Sequence, residues 1–129
     1  MRRQNGFTLI ELMIVMVIIT VLAGIGLAVY GNSVKHAREA VLLQDLHEMR
    51  EAIDKFYADK NHYPATLDAL VEDKYIRDVP VGPFTRSRET WQTTLADPEP
   101  GNPSAEPGIY NVKSGAEGTA LDGTPYSEW

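Results

Sequence analysis

Residues Phe7 to Tyr30 read FTLIELMIVMVIITVLAGIGLAVY, a run of 24 residues with a single charge, Glu11. As a helix rising about 1.5 Å per residue, this run spans roughly 36 Å, enough to cross a bilayer core of about 30 Å. The hexapeptide before it, MRRQNG, carries Arg2 and Arg3 and no acid. Basic residues stay on the cytoplasmic side, so the N-terminus is expected inside and the rest of the chain outside. The mean hydropathy of −0.24 averages over this segment and a polar remainder of opposite character. A secretory signal peptide would also have a basic start and an apolar stretch, with Gly26-Leu27-Ala28 as a weak cleavage site. A plain signal anchor is a further reading. Neither accounts for Glu11, since a charge at the centre of a membrane span costs roughly 2.5–3.5 kcal/mol, and less near its end. Such a residue usually has a partner; the alternative is an acid tolerated near the headgroups.

The string Gly6-Phe7-Thr8-Leu9-Ile10-Glu11 after a short basic leader resembles the processing site of type IV prepilins and pseudopilins. The resemblance implies that a prepilin peptidase cuts between Gly6 and Phe7 and N-methylates the new Phe7 amine. It also implies a partner for Glu11, namely the Phe7 amine of a neighbouring subunit in a filament. Glu11 lies about one helical turn, roughly 6 Å, from that end, so a neighbour shifted along the axis can bring its amine alongside. Such a pair in low dielectric is favourable only when both charges are satisfied, and so it selects register more than it adds affinity. Family members commonly carry a proline near Ala28 and a glycine near Thr20, and this chain has neither. Gly24, Gly26 and Gly31 stand there instead. Glycine costs a helix up to about 1 kcal/mol relative to alanine, which permits local melting on assembly. Close helix packing is the equal alternative.

Beyond the apolar run, Val34, Ala37, Val41, Leu42, Leu46, Met49, Ile53 and Phe56 recur in steps that place them along one helical stripe. Lys35 with Glu39, and Glu51 with Lys55, are spaced as i,i+4 pairs on the solvated side. The pattern predicts one helix from about Phe7 to Asp59, stopped by Asn61-His62-Tyr63-Pro64. Residues 65–73 suggest a short helix capped at Thr66, and Val79-Pro80-Val81-Gly82-Pro83-Phe84 a turn. Residues 89–95 and 108–113 alternate as strands. Between the strands DPEPGNPSAEP is a loop unable to form a ladder. The glycine-rich tail ends in Tyr126 and Trp129, expected to pin it to the sheet. The expected class is α+β and type IV pilin-like. A long N-terminal helix, its apolar half transmembrane, packs its amphipathic half on a small antiparallel sheet with irregular C-terminal loops. The expected division is a cleaved leader 1–6, a membrane and filament-core helix 7–30, and a periplasmic globular part 31–129.

Within that family the chain is similar to the major pseudopilins of type II secretion systems. The shared points are the NHYP stop, Leu67 and Leu70, the Val79-Pro80 turn, Gly108-Ile109-Tyr110, Ser114-Gly115 and Trp129. The resemblance implies a helical filament that helps drive protein export. Its implied partners are further copies of itself, prepilin peptidase, minor pseudopilins and an inner-membrane assembly platform. The implied location is the bacterial inner membrane, single-pass, with the C-terminal part periplasmic. A type IV pilus subunit for adhesion, motility or DNA uptake is the alternative, as is a membrane-anchored periplasmic module that never polymerises. The same stripe would also suit a closed coiled-coil dimer, whereas a filament subunit makes contacts that propagate without closure. The pseudopilins often bind calcium in the C-terminal loop. Here Glu117 and Asp122 are the candidate acids, with Ser114 and Thr119 as further oxygen donors. Calcium takes six to eight oxygens, and paired aspartates are missing.

Other chemistries find little support. There is no cysteine, which excludes disulfides, thiolate nucleophiles and cysteine-ligated metals. Twelve Lys plus Arg stand against 18 Asp plus Glu, so a phosphate backbone is not an expected partner. His36, His47 and His62 lack metal-ligand spacing. Glu48, Glu51 and Asp54 lie among Lys and Arg as a solvated helix face. No nucleophile elbow, phosphate loop or zinc helix occurs, and no enzyme is expected.

Overall fold

The computed structural model describes residues 5–98, 100–101 and 106–129. Arg2 and Arg3 of the leader and most of the centre of the proline-rich loop lie outside the described residues. The chain is α+β: α1 (Leu9–Lys60), α2 (Leu67–Glu72), β1 (Gln92–Leu95), β2 (Ile109–Lys113) and a closing 3-10 turn (Tyr126–Glu128). It divides into two compact units, Met1–Lys35 and His36–Trp129.

In the first unit α1 begins where Thr8 caps it. The Thr8 hydroxyl accepts the Glu11 N–H at 3.2 Å, and the Thr8 carbonyl accepts the Leu12 N–H at 3.2 Å. Thr8 and Glu11 stand three apart in the pattern of a capping box, a start signal that the sequence carries openly. Thr20 and Ser33 return their hydroxyls to the carbonyls of Met16 and Val29, at 2.8 and 2.9 Å. A hydroxyl satisfied within its own helix is tolerated in an apolar span. The helix runs unbroken through Gly24, Gly26 and Gly31, where an added Cβ would meet open space.

The second unit is built on the far half of α1. Leu42, Leu46, Met49, Ile53 and Phe56 are buried, in alternating steps of four and three. They meet Leu70 of α2, Val79, Trp91, Ile109 and Val112 in one core. Each such side chain contributes about 1.5–3 kcal/mol when fully removed from water. The stripe is shorter than the sequence suggests: Val34 is half-buried, and Ala37 and Val41 are exposed. The helix ends because Asn61 takes the left-handed conformation, φ +57°, and returns its N–H to Tyr57 O at 2.8 Å. Asparagine tolerates that conformation, and Pro64 follows three residues on. Thr66 caps α2 as expected, its hydroxyl accepting the Ala69 N–H.

β1 and β2 pair antiparallel, with Gln92 opposite Lys113 and Leu95 opposite Ile109. The register shifts between Thr94 and Leu95, which leaves Tyr110 as an extra residue on β2 and bends the ribbon. Two glycines sit where no side chain fits. A Cβ on Gly115 would fall on the Thr90 carbonyl oxygen, and one on Gly108 would strike the Tyr63 backbone at 2.6 Å. Trp91 anchors the turn before β1 by donating its Nε1–H to Pro80 O at 2.8 Å.

Candidate functional site

The residues singled out by sequence lie together at the start of the chain. Residues 5–8 are not helical, so the Gly6–Phe7 peptide bond lies outside α1, just before the Thr8 cap. Phe7 is 85% exposed, and nothing stands within 4 Å of a Cβ built on Gly6. A protease needs an accessible, non-helical bond, and this one qualifies. Glu11 occupies the first turn of α1 and is exposed. Among the described residues no cation pairs with its carboxylate. An acid in the first turn is favoured by the positive end of the helix dipole, by about 0.3–1 kcal/mol. Every large apolar side chain from Leu9 to Tyr30 is exposed in the single chain. By length and composition, α1 is the one helix among the described residues fitted to cross a membrane.

A second set of polar side chains, which tie the second unit together, is not evident from the sequence. Glu39 is 7% exposed, and its Oε1 accepts the Leu121 N–H and the Tyr126 O–H, each at 2.9 Å. The expected Lys35–Glu39 surface pair is therefore not made, because the carboxylate turns into the second unit. The signal was present: Glu39, Leu42, Leu46, Met49, Ile53 and Phe56 follow steps of three and four, so an acid holds a place on the apolar stripe. Burial, aided by the Glu39 bond, pushes the Tyr126 hydroxyl up to about 12.

Arg50 lies on the margin of the same stripe. Its Nε donates to Asn111 Oδ1 at 3.0 Å and Val112 O at 3.2 Å, and one terminal nitrogen donates to Val112 O and Trp129 O at 2.8 Å each. The tail is thus fastened chiefly to α1 rather than to the sheet. Tyr126 stacks on Phe84 at 4.5 Å between ring centres, with Trp129 edge-on at 5.2 Å.

Glu117 and Asp122, the candidate calcium acids, are exposed. Asp122 is already engaged, since its Oδ1 accepts the Thr124 N–H at 2.9 Å, which holds its carboxyl below the usual range. Ser114 is buried, with its hydroxyl accepting the Ala116 N–H. Among the described residues no three acids or histidines converge to hold a metal. This donor set does not fit the six to eight oxygens of a calcium cage.

The remaining charged candidates are surface groups. Glu51 pairs with Lys55 at 2.8 Å, and His47 approaches Glu51 at 3.8 Å. The Lys55 hydrogen bond lowers the Glu51 carboxyl. Gln44 donates to Glu48 at 2.9 Å. His36 and His47 are exposed, and His62 packs edge-on to Phe56.

A long apolar N-terminal helix continuing into a small α+β unit, with an exposed, non-helical glycine–phenylalanine junction and a first-turn glutamate, defines a type IV pilin-like protein. Residues 1–27 match the prokaryotic N-terminal methylation motif. The chain is 38% identical over 94 residues to type II secretion system core protein G of Klebsiella pneumoniae, covering 67% of this chain and 66% of that one. It is 35% identical over 103 residues to the core protein G of Klebsiella michiganensis, covering 65% of this chain and 72% of that one. The fimbrial protein EcpC of Eikenella corrodens is 37% identical over 83 residues, covering 60% of this chain and 54% of that one. The chain belongs to the type II secretion system core protein G family. It spans between half and two thirds of the length of several of these relatives, including the Klebsiella pneumoniae and Eikenella proteins. No solved structure matches it.

Proposed function

We propose that the chain is the major structural subunit of a type II secretion pseudopilus. Prepilin peptidase hydrolyses the Gly6–Phe7 bond and methylates the new Phe7 amine. The processed subunit waits in the bacterial inner membrane with its N-terminus at the cytoplasmic face and residues 31–129 in the periplasm. An inner-membrane assembly platform, with minor pseudopilins, then draws it into a helical fibre that helps move folded proteins outward. The chain itself carries no catalysis in this reading.

The observation that carries the reading is the Glu11 carboxylate, which no cation pairs among the described residues, at the head of the exposed apolar half of α1. Cleavage places a positive amine at Phe7, at the already positive end of α1, where only an anion relieves it. The first-turn Glu11 of a neighbouring copy answers that charge, and the exposed apolar faces of adjacent helices replace lipid around the pair. Family membership supports the same conclusion. The test is the mass of the mature N-terminal peptide from the native host. An N-methylated Phe7 is expected; a mature chain starting at Met1 or near Val29 overturns the processing step.

The likeness to a fimbrial protein favours one other reading, a type IV pilus subunit. A deletion strain separates the two. Loss of protein export with normal surface pili supports the secretion role, and the reverse supports the pilus.

A further inference from the structure

We propose that the buried Glu39 carboxylate organises the C-terminal loop, residues 114–126, in the place where the family resemblance would put a calcium ion. The argument is one of polarity. A cation site converges oxygen lone pairs on a point, whereas this loop turns donors inward. The Leu121 N–H and the Tyr126 O–H both end on Glu39 Oε1, each at 2.9 Å. Two donors on one oxygen of a carboxylate that is 7% exposed form a seat for negative charge. With both donors on Oε1, that oxygen's lone pairs are already taken and it is not free to ligate a divalent cation.

The loop's own oxygens serve its internal turns. Thr124 O accepts the Ala120 N–H at 2.8 Å, Ala120 O the Gly123 N–H at 3.0 Å, and Gly118 O the Tyr126 N–H at 3.2 Å. Asp122 Oδ1 is bonded to the Thr124 N–H. Gly118 and Gly123, at φ +99° and +89°, allow the chain to fold back twice and deliver residues 121 and 126 to the same carboxylate. Charge-assisted hydrogen bonds of this kind are about twice as strong as neutral ones, and truncating a buried carboxylate leaves its donors unpaired. Loop order therefore depends on Glu39 and is indifferent to calcium. It is a property of the folded single chain and holds whether or not the chain polymerises.

The experiment uses the full chain in detergent micelles. Thermal melting is followed by near-ultraviolet circular dichroism, which reports the Tyr126–Trp129 contact, and limited proteolysis reports the order of residues 114–129. Wild type is measured with excess chelator and with excess calcium chloride. Neither addition is expected to move the Tm or the cleavage pattern. Glu39→Gln keeps an acceptor but loses the charge, and should lower the Tm by roughly 5–10 °C and speed cleavage of the loop. Calcium should not reverse this. Tyr126→Phe removes one donor, and combined with Glu39→Gln it should cost less than the two single losses added together. A fall in wild-type Tm on chelation, calcium rescue of Glu39→Gln, or full additivity of the pair overturns the proposal. The chelation arm needs no variant and stands even if a substituted chain folds poorly.

Discussion

Replacing Arg50 by alanine should be the most damaging single change to a polar side chain in the second unit. The guanidinium ties α1 to β2 and to the closing turn through Asn111 Oδ1, Val112 O and Trp129 O. A hydrogen bond from a charged donor contributes about 1.5–3 kcal/mol, and an acceptor left dry and unpaired costs about 1–3 kcal/mol. Val112 is fully buried, so its carbonyl loses the most, whereas Trp129 is half-buried and water can reach part of its loss. Taking the buried Val112 contact alone, near the low end of both ranges, the loss is about 3 kcal/mol. For a unit of this size that corresponds to roughly 12–24 °C in Tm. Arg50→Lys keeps the charge but not the planar fork that reaches two carbonyls at once, and should lose about half as much. The assay is thermal melting of the full chain in micelles by near-ultraviolet circular dichroism. If Arg50→Ala melts with wild type, or Arg50→Lys is as damaging as Arg50→Ala, the guanidinium fork is not what fastens the tail.

Three further outcomes follow from the same geometry. Gly115→Ala drives a Cβ into the Thr90 carbonyl, a backbone neighbour that cannot swing aside, and should cost at least the roughly 1–3 kcal/mol typical of overpacking; a wild-type Tm for that variant contradicts it. Because the Tyr126 hydroxyl is raised from 10.0 to about 12, the folded chain keeps its proton where the unfolded chain loses it. Stability from this group is therefore full below pH 10 and falls as the pH rises from about 10 to about 12; Tyr126→Phe should show a flatter decline in Tm over that window. Thr8→Val removes the α1 cap and should loosen the first turn by about 0.5–2 kcal/mol, read as faster exchange of the Glu11 and Leu12 amides; unchanged exchange rates would show that the cap contributes nothing.

The features legible in the sequence were those set by local chemistry. The α1 stop follows from Asn61 and Pro64, the start of α2 from the Thr66 hydroxyl, and both strands from alternation, although β1 begins only at Gln92, three residues after the expected Glu89. What stayed hidden depended on which way a long side chain turns. Glu39 sits four residues after Lys35 and looks like half of a surface pair, yet its place on the apolar stripe makes it the inward acid. Arg50 looks like one more solvated charge, and only the fold brings Val112 and Trp129 within its reach, far along the chain. Val34, Ala37 and Val41 extend the apolar pattern, but in the single chain they do not join the core. The glycine–phenylalanine junction and Glu11 stood out through their resemblance to the prepilin processing site, and the match of residues 1–27 to the N-terminal methylation motif covers the same stretch.

The pairing of Glu11 with a neighbour's Phe7 amine is tested most directly by where the processed chain goes once that carboxylate is neutral. In the native host, Glu11→Gln should be cleaved and methylated at Phe7 as usual, remain in the inner membrane, and be lost from sheared or sedimented filaments by at least ~10-fold, the factor set by about 1.4 kcal/mol of pairing energy. A Glu11→Gln chain that is processed normally and enters filaments at the wild-type level would contradict the account.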